Sequence, residues 1–154
     1  MKTNYIPAGY HTATPYLIVK DAARAIEFYK QAFGATEVLR LASPDGKVGH
    51  ADIQIGDSHI MLADEHPQMD ALSPQAIGGT PITLLLYFED TDAVTARAVA
   101  AGAKVLRPVQ DQFYGDRAGT IADPFGHKWT IATHKEDLSL EEIQKRAAAM
   151  FGKK

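Results

Sequence analysis

The chain carries the same half-module twice. Leu17-Ile18-Val19-Lys20-Asp21 is followed by the helically spaced Ala22, Ala25, Ile26 and Tyr29, and then by Phe33-Gly34-Ala35. Leu86-Tyr87-Phe88-Glu89-Asp90 is followed by Ala93, Val94, Arg97 and Ala98, and then by Ala101-Gly102-Ala103. Each half next starts a strand on Val-Leu-Arg, at Val38-Leu39-Arg40 and at Val105-Leu106-Arg107. A repeated unit of this size cannot bury its apolar face alone, so the copies are expected to cover each other. The seam between them is the natural place for a ligand.

The length of 154 residues and an apolar fraction of 45% suit one domain with one core. The formal net charge of -3 and the scattered Lys and Arg argue against a nucleic-acid partner. No run of basic residues is longer than the pair Lys153-Lys154. Absence of cysteine removes disulfides, thiolate metal sites and Cys nucleophiles, and suits a reducing compartment. The segment Met1 to Pro7 lacks the apolar stretch of a signal peptide, and Leu84 to Phe88 is far too short to span a bilayer. The expectation is a cytoplasmic protein with no membrane partner.

Turn and cap signals divide the chain finely. A strand is predicted over 14–19. A helix capped by Asp21 follows and stops at Gly34. Strands are predicted over 36–42, 47–55 and 59–63, with turns at Ser43-Pro44-Asp45-Gly46 and Gly56-Asp57. A linker rich in Pro, Gly, Asp and Ser runs from Asp64 to Pro81. The order then repeats: a strand over 82–88, a helix capped by Asp90 or Thr91 and stopped at Gly102, and strands over 104–109, 115–122 and 128–133. Ser139-Leu140-Glu141-Glu142 has capping-box form and opens a tail helix with Leu140, Ile143, Ala147 and Met150 on one face. That helix is too short to stand alone and should dock on the body or on a second subunit. The layout is one domain over 1–154: a first βαβββ module over 10–64, a linker over 65–81, a second module over 82–134 and a C-terminal helix over 138–152.

Period-two alternation sorts each strand into a face under the helix and a face away from it. Leu17 and Val19, Ala51, Ile53 and Ile55, Ile60 and Leu62, Leu84, Leu86 and Phe88, and Trp129 and Ile131 fall on the packed faces. Thr14, Tyr16 and Ile18, His50, Asp52 and Gln54, His59, Met61 and Ala63, Thr83, Leu85 and Tyr87, and Lys128, Thr130 and Ala132 fall on the other. Such a mixture of Tyr, His, Thr, Met and Asp is what a ligand cup needs, and is also compatible with a plain exposed sheet face.

These segments resemble the vicinal oxygen chelate superfamily, which holds glyoxalase I, extradiol dioxygenases, fosfomycin-modifying enzymes and bleomycin resistance proteins. The similarity is greatest to its PhnB-like branch. It rests on Ile26-Glu27-Phe28-Tyr29, Phe33-Gly34-Ala35, Gln112-Phe113-Tyr114-Gly115-Asp116-Arg117 and Asp123-Pro124-Phe125-Gly126-His127-Lys128-Trp129, and covers about Tyr10 to Thr133. The resemblance implies an α+β glyoxalase/bleomycin resistance-like fold in which two paired βαβββ modules form a curved sheet cup, here with a C-terminal helix added. It also implies a homodimer, as in many members. Enzymes of the superfamily hold a divalent metal on four side chains, mainly His, Glu and Gln, on the first and last strands of each module. Those positions carry over to Thr14, Met61, Thr83 and Thr130, with a one-residue slip to Ile60 or Leu62 left open. Hydroxyls are poor divalent ligands and a thioether suits soft copper.

The expectation is therefore a small-molecule binder of sequestration or resistance type, with no cofactor and no metal. Its ligand contacts would be Tyr16, His50, Asp52, Met61, Thr83, Leu85, Tyr87, Tyr114, Arg117 and Thr130. For Asp116-Arg117 the alternative is an ion pair within the loop. For the whole protein the alternatives are a metal-dependent lyase, isomerase or dioxygenase with its site moved to His50, Asp52 and His59, and a non-catalytic module that docks a partner through its tail helix.

Overall fold

The computed structural model describes residues 2–152; Met1 and the Lys153-Lys154 run lie outside the described residues. The described residues divide into two compact units, one made of 2–81 with 124–127 and the other of 82–123 with 128–152.

In the first unit β1 (Tyr16–Val19), α1 (Ala22–Phe33), β2 (Thr36–Ala42), β3 (Val48–Ile55) and β4 (Ser58–Asp64) follow the predicted order. The four strands form one sheet in the order β1-β4-β3-β2, with β1 parallel to β4 and the remaining pairs antiparallel. The Asp21 carboxylate accepts from Arg24 N at 3.1 Å and so caps α1. Gly34, at φ 69°, ends it with its N–H on Lys30 O. Ala22, Ala25, Ile26, Tyr29, Ala32 and Phe33 are buried on one face of α1, and the sheet meets them with Leu17, Val19, Ile53, Ile60 and Leu62.

The predicted linker is more ordered than its composition suggested. Asp64 belongs to β4, and its two carboxylate oxygens accept from Ala22 N and Val48 N, each at 2.8 Å. A 3-10 turn (Pro67–Met69) and a one-turn helix α2 (Pro74–Ile77) follow. The turn 124–127 belongs to this unit as well. Phe125 is buried with its ring 6.4 Å from that of Phe28, and His127 Nε2 donates to Ile18 O at 2.9 Å. Gly126 takes φ 92°, and a Cβ there would come within 2.8 Å of the Pro74 side chain, so the Asp-Pro-Phe-Gly turn requires glycine at its last position.

The second unit contains β5 (Thr83–Tyr87), α3 (Thr91–Ala100), β6 (Lys104–Asp111), β7 (Asp116–Ala122), β8 (Lys128–His134) and α4 (Leu140–Phe151). Its sheet order, β5-β8-β7-β6, repeats that of the first. Asp90 is the cap of α3, accepting from Ala93 N at 3.0 Å. Thr91, the other candidate, is buried with its hydroxyl 2.6 Å from that of Thr133. The core here is Val94, Ala98, Ile121, Trp129 and Ile131, and the Trp129 indole donates to Asp123 at 2.8 Å. Ser139 caps α4, while the Glu142 carboxylate accepts from Arg146, one turn on, at 3.0 Å. The helix docks on its own unit through Arg146 to Glu136 and through the Phe151 ring, 6.0 Å from Phe113. Ile143 and Ala147 are half-buried, and Leu140 and Met150 are exposed. No helix among the described residues is long and apolar enough to cross a membrane.

The α+β architecture is as predicted, but the Val-Leu-Arg repeat conceals a slip. In the first sheet Glu37 pairs Ile53 and Leu39 pairs Asp52, so Val38 bulges. In the second Val105 pairs Ile121 and Arg107 pairs Thr120, so Leu106 bulges. The residue equivalent to Arg107 is thus Leu39, one place before Arg40.

Candidate functional site

On the helix-free face of the first sheet, Tyr16, Met61, Asp52 and Leu39 form one cross-strand row. Met61, and not Ile60 or Leu62, is the residue on this face: the other two are buried under α1. Asp52 is only 2% exposed. A carboxylate this far from water requires partners. One oxygen faces His59 Nδ1 at 2.9 Å, and the other accepts the Tyr10 hydroxyl. The Tyr10 ring stacks on the His59 imidazole, centroids 3.9 Å apart. Hydrogen bonding to Asp52 raises the Tyr10 phenol above its ordinary 10.0. His50 turns elsewhere, with Nδ1 2.8 Å from the Tyr16 hydroxyl. Burial raises the Tyr16 phenol as well.

Beside this row lies a cavity of about 490 Å³. Tyr16, Ile18, Val48, Ala63 and Met69 give it apolar walls, and Asp45, Lys47, Glu65 and His66 are among its polar residues. The Ser73 hydroxyl and N–H bond to the Glu65 carboxylate and hold it below its ordinary 4.5.

The equivalent row of the second sheet reads Leu85, Thr130, Thr120 and Arg107, with Thr83 and Lys128 paired in the next. The Thr120 and Thr130 hydroxyls are 2.8 Å apart. A cavity of about 440 Å³ is lined by Thr83, Leu106, Arg107, Thr120, Lys128 and Thr130. Toward the other end of the face, Tyr87 and Tyr114 are exposed. The Tyr114 phenol is raised first by burial and then by Asp116 and Tyr87. Asp116 bonds His134 Nδ1 at 2.7 Å, and Asp137 bonds its Nε2 at 2.7 Å. Both carboxylates, Asp116 foremost, raise the His134 imidazole above its ordinary 6.5.

Of the predicted contacts, Tyr16, His50, Asp52 and Met61 gather on the first face, and Thr83, Leu85, Tyr87, Thr130 and Tyr114 fall in the second unit. Arg117 stands apart. Its guanidinium grips Asp92 of α3 at 2.7 and 3.0 Å and Asp111 at 3.2 Å, on the helix side of the sheet. These contacts raise its pKa further. Asp116 and Arg117 do not pair with each other; alternation sends one to each face. Three groups escaped the prediction: Tyr10, Thr120 and Arg107. Alternation from the buried Ile121 would have found Thr120. Tyr10 lies in an arm with no pattern, and Arg107 depends on the bulge.

A divalent ion finds little to bind at the four positions where the resemblance implies one. They hold three hydroxyls and a thioether, and Thr130 is engaged with Thr120. His50, Asp52 and His59 are committed to Tyr16, Tyr10 and one another. Among the described residues no three His, Cys, Asp or Glu side chains are arranged to hold a metal ion.

The sequence profile of the Glyoxalase/Bleomycin resistance protein/Dioxygenase superfamily matches residues 10–131. The chain belongs to this superfamily. An uncharacterised protein of Mycobacterium tuberculosis is 45% identical over 134 residues, 85% of this chain and 79% of that protein. TioX from Micromonospora sp. ML1 has a similar structure, with TM-score 0.63 and 26% identity over 84% of this chain and all of that one (100%). The PhnB protein from Bacillus cereus shares the superfamily fold at TM-score 0.62 and 20% identity, over 80% of this chain and 99% of that one.

Proposed function

We propose that this superfamily member is a small-molecule binder of sequestration or resistance type that works without a metal at its four inherited corners. The observation that carries the proposal is the donor set. Thr14, Met61, Thr83 and Thr130 replace the imidazoles and carboxylates a divalent ion would need. Each helix-free face instead offers a cavity, with Tyr16 and Met61 beside one and Thr83 and Thr130 within the other. Tyrosine suits such faces because it joins apolar area to a polar tip. We take the protein to act in the cytoplasm as a homodimer of the PhnB-like branch, with no nucleic-acid partner.

The test is calorimetry of chelator-treated full-length chain against aromatic and glycopeptide-like compounds. Binding indifferent to chelator and weakened by Tyr16→Ala or Tyr87→Ala is expected. Binding that appears only with added divalent metal and is lost in Asp52→Asn would instead support a relocated metal site. Sedimentation of the same sample tests the dimer.

A further inference from the structure

We infer that the helix-free face of the second sheet is built for an oxyanion, so that the corner where the superfamily implies a cation takes a phosphate-like or sulfate-like group of the ligand. This rests on the reading of that face as a ligand surface and adds the charge class of what binds there.

The cavity of about 440 Å³ is lined by two cations, three hydroxyls and one leucine, with no carboxylate among its lining residues. Three other arginines are engaged by acids: Arg40 by Glu37, Arg117 by Asp92 and Asp111, and Arg146 by Glu136 and Glu142; Arg24 lies over the Phe125 ring instead. Among the described residues, Arg107 and Lys128 form no ion pair. Two unpaired positive charges would repel a dication from Thr83 and Thr130 and attract an anion.

The hydrogen-bonding inventory agrees. Thr120 and Thr130 spend one hydroxyl proton on each other, which leaves the second proton, and that of Thr83, to donate. The guanidinium adds its fork of N–H groups and the ammonium three more. A tetrahedral oxyanion, rich in acceptors and lacking donors, matches this set. The bulge at Leu106 makes the arrangement possible. Without it Leu106 would stand opposite Thr120 and Arg107 would point to the other face. The first sheet has the same bulge but delivers Leu39 against Asp52, so it holds no such cradle.

The experiment titrates chelator-treated full-length protein with inorganic phosphate, sulfate and phenyl phosphate, followed by amide chemical shifts. Saturable shifts are expected at Thr83, Arg107, Thr120, Lys128 and Thr130. Arg107→Gln and Lys128→Gln should each weaken binding about tenfold, as for loss of one charged hydrogen-bonding partner. Lys145→Gln, exposed on α4 and outside the lining of both cavities, should leave it unchanged. Unchanged thermal unfolding checks each variant. If one fails to fold, Arg107→Lys, which keeps the charge and loses the fork, should weaken binding by less than the Gln change. Absence of saturable shifts at these residues, or equal affinity in the Gln variants, would overturn the oxyanion site. If phenyl phosphate or the aromatic panel still binds under chelation but ignores both Gln changes, the oxyanion inference fails and metal-free binding stands. If binding needs added metal, both fail.

Discussion

The two sheets share a strand order and a bulge, yet their helix-free faces have taken opposite chemistries. Row for row, Tyr16, Met61, Asp52 and Leu39 stand where Leu85, Thr130, Thr120 and Arg107 stand. The first sheet hides its polar group: Asp52 is buried under Tyr10 and His59. The second leaves its polar groups open to a cavity. Duplication therefore preserved what packs beneath the helices, where Leu17 and Leu86 or Leu62 and Ile131 are interchangeable in kind. It left free what faces away, because no core constrains those positions.

The largest expected contrast lies within that row. Asp52→Ala would strand the Tyr10 hydroxyl and His59 Nδ1 in a buried place and should cost about 2–4 kcal/mol in urea unfolding. Thr120→Val, at the equivalent place, should cost about 1 kcal/mol or less, since Thr130 can turn to solvent or ligand. Equal costs would break the contrast between a hidden and an open polar face.

A second contrast concerns the β6 irregularity. Gly119 occupies the place of Ala51, but a Cβ there would come within 2.9 Å of the Val109 side chain and 3.0 Å of its backbone. Gly119→Ala should therefore destabilise by about 1–3 kcal/mol through overpacking, although Ala51 shows that the first sheet accommodates a methyl. A neutral Gly119→Ala would mean that β6 can retreat.

Smaller, and opposite in sign between units, is the pH response. Glu65 is held below 4.5 in the first unit, so its contribution is present above that value and is lost as pH falls through the lower folded one. His134 is held above 6.5 in the second unit. Its contribution is fully present below that value and is lost as pH rises through the higher folded one. His134→Gln should flatten the decline of thermal stability on the alkaline side of 6.5 and leave the acid limb unchanged. An NMR titration should place the His134 imidazole above 6.5 and show it falling in Asp116→Asn. An ordinary value would remove Asp116 as its partner.

Much of the fold was legible in the sequence because caps and alternation are local. Asp21, Gly34, Asp90 and Ser139 marked helix ends by their own side chains or backbone freedom, and the paired apolar stripes gave the packed faces. The candidate site was legible only in part. Residues on straight strands, such as Tyr16, Asp52, Met61, Thr83 and Thr130, could be placed by counting. Arg107 could not, because a bulge shifts the count by one and makes the Val-Leu-Arg repeat a false alignment. Tyr10 could not, because its partner Asp52 is 42 residues away. Nor does the sequence show that the Arg117 guanidinium is engaged, because its acids, Asp92 on α3 and Asp111 on β6, are brought to it by the fold.

The central claim is that the inherited metal corners no longer take a metal. Its most direct test is calorimetric titration of chelator-treated protein with Mn²⁺, Ni²⁺ and Zn²⁺, repeated on a Met61→Leu, Thr83→Val, Thr130→Val variant. The account predicts that the triple substitution leaves the metal response unchanged. A tightly bound equivalent of metal in the wild-type chain that vanishes in the variant would contradict it.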